Sequence, residues 1–145
     1  MNMKHTNSKF FPIGGIKRGL LLFAAFLFLT SQTTDEPVMT KQKDITIINT
    51  TSLATDIEGY VGTTPVKVYI QGGKVLRVEA LENEETPKYF DILVKGGLLK
   101  KWNGKPVKTA DKQKVDVVTG ATVSSEAVIE NVRRGIAYYN YMNKK

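Results

Sequence analysis

Apolar and polar positions alternate with period two in two adjacent stretches of the chain. Pro65-Val66-Lys67-Val68-Tyr69-Ile70-Gln71 places Val66, Val68 and Ile70 on one face. Lys74-Val75-Leu76-Arg77-Val78-Glu79-Ala80 places Leu76, Val78 and Ala80 on one face. Gly72-Gly73 between them suits the positive φ angles of a tight turn, so the pair predicts a β-hairpin. A second periodicity begins near Ser125, where Val128, Ile129, Val132, Ile136 and Tyr139 recur at helical spacing. Ser124 or Ser125 is the expected N-cap, Glu126 complements the dipole in the first turn, and the helix is expected to end near Met142.

Weaker patterns fill the space between. Asp44-Ile45-Thr46-Ile47-Ile48 reads as a short strand or the start of a helix, and Ile57 to Gly62 as a short strand ending in a turn. Glu82 to Pro87 is a polar loop. Tyr89 to Val94 reads as a helix that Gly96-Gly97 ends. Leu98 to Trp102 is a short apolar and basic segment, Asn103-Gly104 a turn, Pro106 to Gln113 a loop, and Lys114 to Val118 a short strand. Together these predict an α+β fold, a small antiparallel sheet with a central hairpin and a C-terminal helix packed on it.

The N-terminal third follows a different logic. Lys17 and Arg18 precede eleven residues, Gly19 to Leu29, that are apolar except for the glycine, and small polar residues follow. A basic segment, a short apolar core and a polar exit form a secretory pattern. An uncleaved anchor is the alternative, although the run is shorter than the ~20 residues that span a bilayer. Residues 1–34 are therefore read as a signal peptide or N-terminal membrane anchor, 35–44 as a linker, and 45–145 as the folded domain. This places the domain outside the cytoplasm, periplasmic or otherwise extracytoplasmic, and free or held at the inner membrane by the N-terminal segment.

Composition narrows the chemistry. The chain has no cysteine, which excludes disulfides, thiolate catalysis and cysteine-ligated iron–sulfur clusters. Its one histidine, His5, lies in the leader, so the domain has no imidazole for a metal or a general base. Of the net charge of +7, the first 34 residues supply +4, and the remaining +3 is an ordinary balance. No dense basic run interleaves with aromatics, and nucleic acid is not an expected partner.

The candidate site is Asp116-Val117-Val118-Thr119-Gly120-Ala121-Thr122-Val123-Ser124-Ser125, read as strand, tight turn and helix N-terminus. Gly120 permits close backbone approach. The first amides of the helix have no backbone partner and face outward at the positive end of the dipole, a ready site for a phosphate. The hydroxyls of Thr119, Thr122, Ser124 and Ser125 offer further hydrogen bonds. No lysine follows the glycine as in a Walker loop. On chemistry alone, an anion site and a plain helix cap both stand.

Asp116-Val117-Val118-Thr119-Gly120-Ala121-Thr122 resembles the flavinylation motif of the FMN-binding domain family, which runs Asp, two variable positions, Ser or Thr, Gly, Ala, Thr. That family includes the flavin-carrying subunits of the sodium-pumping NADH:quinone oxidoreductase and of the Rnf complex. Gly72-Gly73-Lys74-Val75 is similar to the family's central hairpin, Glu85-Thr86-Pro87 to the loop after it, and Ser124-Ser125-Glu126-Ala127-Val128 to the continuation of the motif. The likeness covers about Glu58 to Tyr139. It implies FMN as cofactor, attached by an ApbE-type flavin transferase through a phosphoester to Thr122, with Asp116, Thr119, Gly120, Ala121, Ser124, Ser125, Glu85, Thr86 and Pro87 around it.

The family loop usually continues from Glu-Thr-Pro into a glycine-containing turn, where this chain has Lys88-Tyr89-Phe90. Tyr89 or Phe90 is a candidate to stack on the flavin ring and equally a candidate for the core, as are Tyr60 and Trp102. Lys112 and Lys114 read as screening the phosphate or as solvated loop lysines. The resemblance implies an exported electron carrier working with membrane or exported redox partners rather than a self-contained oxidoreductase. A noncovalent FMN-binding reductase or sensor, and a non-catalytic interaction module, are the competing readings.

Overall fold

Four strands, β1 (Met39–Gln42), β2 (Ile45–Asn49), β3 (Val66–Gln71) and β4 (Lys74–Ala80), form an antiparallel sheet in the order β1-β2-β3-β4. The computed structural model describes residues 35–144, so the expected leader lies outside the described residues. The predicted hairpin is β3 and β4, and Gly72 and Gly73 adopt φ of 58° and 74° at its turn. Both angles lie where a side chain would be strained.

β1 occupies residues the sequence reading assigns to a linker. Met39 pairs with Ile48, and the Val38 carbonyl accepts the Asn49 amide at 2.8 Å. This covers the free edge of β2, whose Thr46 to Asn49 are all buried. The ambiguous segment at Asp44 is thus resolved as strand.

In β4 the expected alternation breaks. Tyr69 pairs with Arg77 but Ile70 pairs with Val75, leaving Leu76 as the extra residue of a bulge. Val75 turns into the core, and Leu76, expected there, is exposed. Val78 is buried as expected, and Ala80 half-buried.

Three α-helices follow: α1 (Pro87–Lys95), α2 (Val107–Ala110) and α3 (Thr122–Met142). Pro87 opens α1, where its missing N–H costs nothing. Gly96 caps α1 and Gly97 leaves it at φ 77°, as the glycine pair predicts. Leu98–Trp102 is a 3-10 segment, and α2 is a helical turn where a loop is expected. Residues 104–107 run beside β4, with Gly104 N–H bonded to Val75 O at 2.7 Å, Val75 N–H to Lys105 O at 2.9 Å and Val107 N–H to Gly73 O at 3.0 Å. They take the edge that Lys114–Val118 would need, and those residues form no strand. Ile57–Gly62 is likewise no strand but a tight turn, closed by an isolated bridge between Glu58 and Thr63.

The core lies between the sheet and α3. Ile48, Val66, Val68 and Ile70 share it with Val128, Val132 and Ile136, and Leu93, Leu98 and Trp102 close one side. Each such side chain contributes roughly 1.5–3 kcal/mol by leaving water. A Cβ on Gly135 would lie 3.1 Å from Thr50 Cγ2 and 3.4 Å from Val68 Cγ2, so this glycine sets how closely α3 approaches the sheet. Buried Asn131 pins the interface. Its Oδ1 accepts from the Thr50 hydroxyl at 2.8 Å, and its Nδ2 donates to Ala127 O at 3.0 Å. Thr50 Oγ1 in turn accepts the Val66 amide at 2.9 Å. α3 is thereby fixed in register over β3, with its N-terminus at the end of the sheet where β3 begins and β4 ends.

Candidate functional site

α3 starts at Thr122, earlier than a cap at Ser124 or Ser125 would place it. Gly120 turns the chain at φ 90°, the Ala121 amide bonds Val118 O at 3.0 Å, and Ser125 N–H to Ala121 O at 2.9 Å is the first helical bond. Ala121 is the N-cap and supplies no side-chain acceptor. Among the described residues nothing accepts from the amides of Thr122, Val123 and Ser124. They are the orphan donors of a 21-residue helix.

The motif's four hydroxyls have different fates. Ser125 is buried and its Oγ accepts the Val118 amide at 3.2 Å. Ser124 is buried and its hydroxyl donates to Glu85 Oε2. Neither serves as the expected cap; both fasten the turn from below. Thr119 and Thr122 are exposed, and of the four only Ser124 and Thr122 line the adjoining cleft. With Ser124 committed to Glu85, Thr122 is the motif's free hydroxyl in the cleft.

Glu85 is the organising group. Only 5% exposed, it accepts from Ser124 through Oε2 and through Oε1 from the amides of Val61 at 2.8 Å and Gly62 at 3.2 Å. A Cβ on Gly59 would stand 2.6 Å from Glu85 Oε1, so that position must be glycine for the turn to close on the carboxylate. The turn is completed by Gly59 N–H to Gly62 O at 2.7 Å. Burial by itself would raise the Glu85 carboxyl, but the Ser124 hydroxyl and the amides of Val61, Gly62 and Tyr60 outweigh it and hold the group below its ordinary value. Successive amides converging on one anion form a nest.

α1 forms the opposite wall. A Cβ on Gly96 would meet Val118 Cγ1 at 2.8 Å, and one on Gly120 would lie 3.9 Å from Ile92 Cδ1. The end of α1 therefore lies against the motif, and Tyr89, one turn before Ile92, faces the same space. The resulting cleft has a volume of about 390 Å³ and is lined by Tyr60, Glu85, Thr86, Tyr89 and Gly120–Ser124. That is within the range of small-molecule sites.

The model of the FMN-binding domain matches residues 59–137, more than half of the chain. The chain belongs to the FMN-binding domain family. FMN is its cofactor. No curated protein and no solved structure matches the chain.

The residues present suit that cofactor. Three unpaired amides at a helix N-terminus supply donors for a phosphate, and Gly120 leaves the approach open. Two aromatic side chains, Tyr60 and Tyr89, supply flat apolar surface for a ring. Among the described residues no cluster of His, Cys, Asp or Glu could hold a metal ion.

Of the residues singled out in the sequence, Glu85, Thr86, Gly120, Ala121, Thr122 and Ser124 come together in the cleft. Pro87 starts α1, Ser125 supports Val118, and Thr119 and Asp116 are exposed outside the lining. The aromatic ambiguity divides cleanly. Tyr60 and Tyr89 line the cleft, Trp102 is fully buried, and half-buried Phe90 packs on the core. Lys112 and Lys114 are exposed and line no part of this cleft. Sequence reasoning passed over Gly59, whose partner is 26 residues away; the one local signal was a glycine directly before an aromatic.

Proposed function

We propose that this chain is an exported electron-transfer protein that holds its FMN covalently, through a phosphoester on Thr122. The observation that supports this most directly is the sorting of the motif's hydroxyls. Thr122 is exposed, lies in the cleft and is free of internal bonds, beside three unpaired amides, while Ser124 and Ser125 are committed to the fold.

Attachment requires an exported transferase of the ApbE type, with FAD as donor. The Thr122 oxygen forms the new bond to phosphorus, its proton leaves, the pyrophosphate bond breaks, and AMP departs. The donors around the phosphate are then the amides of Thr122, Val123 and Ser124. Already oriented by the helix, they favour the anion in place before any bond forms.

Once bound, FMN supplies one- and two-electron redox chemistry. The chain's own side chains hold and shield it. Glu85, the one carboxylate lining the cleft, is fully engaged by its donors and is not free to move protons. The cleft contains no imidazole or thiol. This favours a carrier that relays electrons between membrane and exported partners over an enzyme acting on a second substrate. Export rests on the basic and apolar pattern of residues 1–34; among the described residues no helix is long and apolar enough to cross a membrane.

Coexpression with a flavin transferase, denaturation and electrophoresis test the attachment. Flavin fluorescence that stays with the polypeptide supports it. A band without fluorescence, with flavin free in solution, overturns it in favour of noncovalent binding.

A further inference from the structure

Among the described residues three large aromatic side chains stand open, Tyr60, Tyr89 and Tyr141, and the first two belong to one cleft. Tyr60 is 72% exposed and Tyr89 46% exposed, and both line the space beside Thr122. They are held differently. Tyr89 sits on α1, which is anchored by buried Leu93 and by the contact of Gly96 with Val118. Tyr60 sits on the turn 58–63, which is exposed along most of its length. That turn is tied down by the Glu58–Thr63 bridge, by Gly59 to Gly62, and by the amides of Val61 and Gly62 on Glu85. Glu85 joins it to α3 through Ser124.

We propose, resting on the FMN reading of this cleft, that Tyr60 and Tyr89 contact the flavin ring and that Glu85 is a positioning residue which holds Tyr60 there. Aromatic side chains expose flat apolar surface at a cost that a flat cofactor removes. The carboxylate acts through the turn. Lose its acceptor oxygens, and the amides of Val61 and Gly62 are released while Tyr89 stays in place on its helix. One wall of the flavin site is rigid and the other is latched.

Flavin emission reads this directly. An excited flavin accepts an electron from a phenol in contact with it and returns the electron without net change, so contact quenches emission. The test uses the flavinylated chain, as wild type and as Tyr60→Leu, Tyr89→Leu and Glu85→Leu, which has no acceptor for the amides of Val61 and Gly62, at a temperature where each remains folded by circular dichroism. Emission yield and lifetime are expected to rise several-fold in each tyrosine variant. They are expected to rise in Glu85→Leu as well, although both tyrosines remain. A purely structural role for Glu85 would lower the melting temperature and leave emission of the folded protein unchanged, which would overturn the latch. Bound flavin with wild-type emission in both tyrosine variants would overturn the contacts while leaving the FMN reading intact. Wild-type protein without flavin would remove the reading and the inference together.

Discussion

The hydroxyl of Ser124 donates to the carboxylate of Glu85, which lies 39 residues earlier in the chain. This bond joins the first turn of α3 to the loop after β4, and the same carboxylate reaches on to Val61 and Gly62. Three segments distant in sequence are thereby closed around one cleft. Glu85→Gln keeps the shape and one acceptor oxygen but removes the charge that strengthens these bonds. Losing charge-assisted bonds of this kind at a buried site costs about 2 kcal/mol, measurable by urea denaturation. An unchanged midpoint would mean that Glu85 does not organise the site.

The lowered Glu85 pKa also makes a prediction about acid. A carboxyl depressed in the folded state stabilises the protein above its unfolded pKa, about 4.3. That contribution is lost as pH falls through the lower, folded value. Wild type should therefore lose stability more steeply than Glu85→Gln below about pH 4.3. Parallel stability curves for the two proteins from neutral pH down to pH 3 would contradict the assignment.

Gly59 is constrained by the same group. A methyl group there would stand 2.6 Å from Glu85 Oε1, closer than atoms pack. Gly59→Ala should cost about 1–3 kcal/mol, whereas a methyl at Gly62, no nearer than 3.5 Å to Glu84 Oε2, should cost less. Equal effects at the two glycines would argue against a turn closed on Glu85.

Much of this architecture was legible in the chain because its signals are local. Period-two alternation around Gly72-Gly73 and 3.6-residue spacing after Ser125 each report on neighbours within a few residues, and both elements form where expected. The misreadings share a physical cause. Leu76 faces solvent because a bulge against β3 shifts its phase, and β1 forms because β2 needs an edge partner. Lys114–Val118 forms no strand because residues 104–107 already hold that side of β4. In the site, the motif marked Thr122, but the roles of its neighbours depend on partners that only the folded chain brings beside them. Ser124 and Ser125 look like caps until Glu85 and Val118 are brought beside them.

That difference can be measured. Ser125→Ala leaves the half-buried Val118 amide without its acceptor and should cost about 1 kcal/mol. Thr122→Ala removes an exposed hydroxyl that makes no internal bond and should change stability by no more than about 0.5 kcal/mol. If Thr122→Ala were the more destabilising, Thr122 would be a structural cap and its freedom for attachment would be in doubt.

The most direct test of the central claim is the intact mass of the denatured protein after coexpression with a flavin transferase, as wild type and as Thr122→Ala. The wild-type polypeptide is expected to gain the mass of FMN less one water, and Thr122→Ala, still folded, to gain nothing. An unmodified wild-type mass, or the same gain in both proteins, would contradict covalent attachment at Thr122.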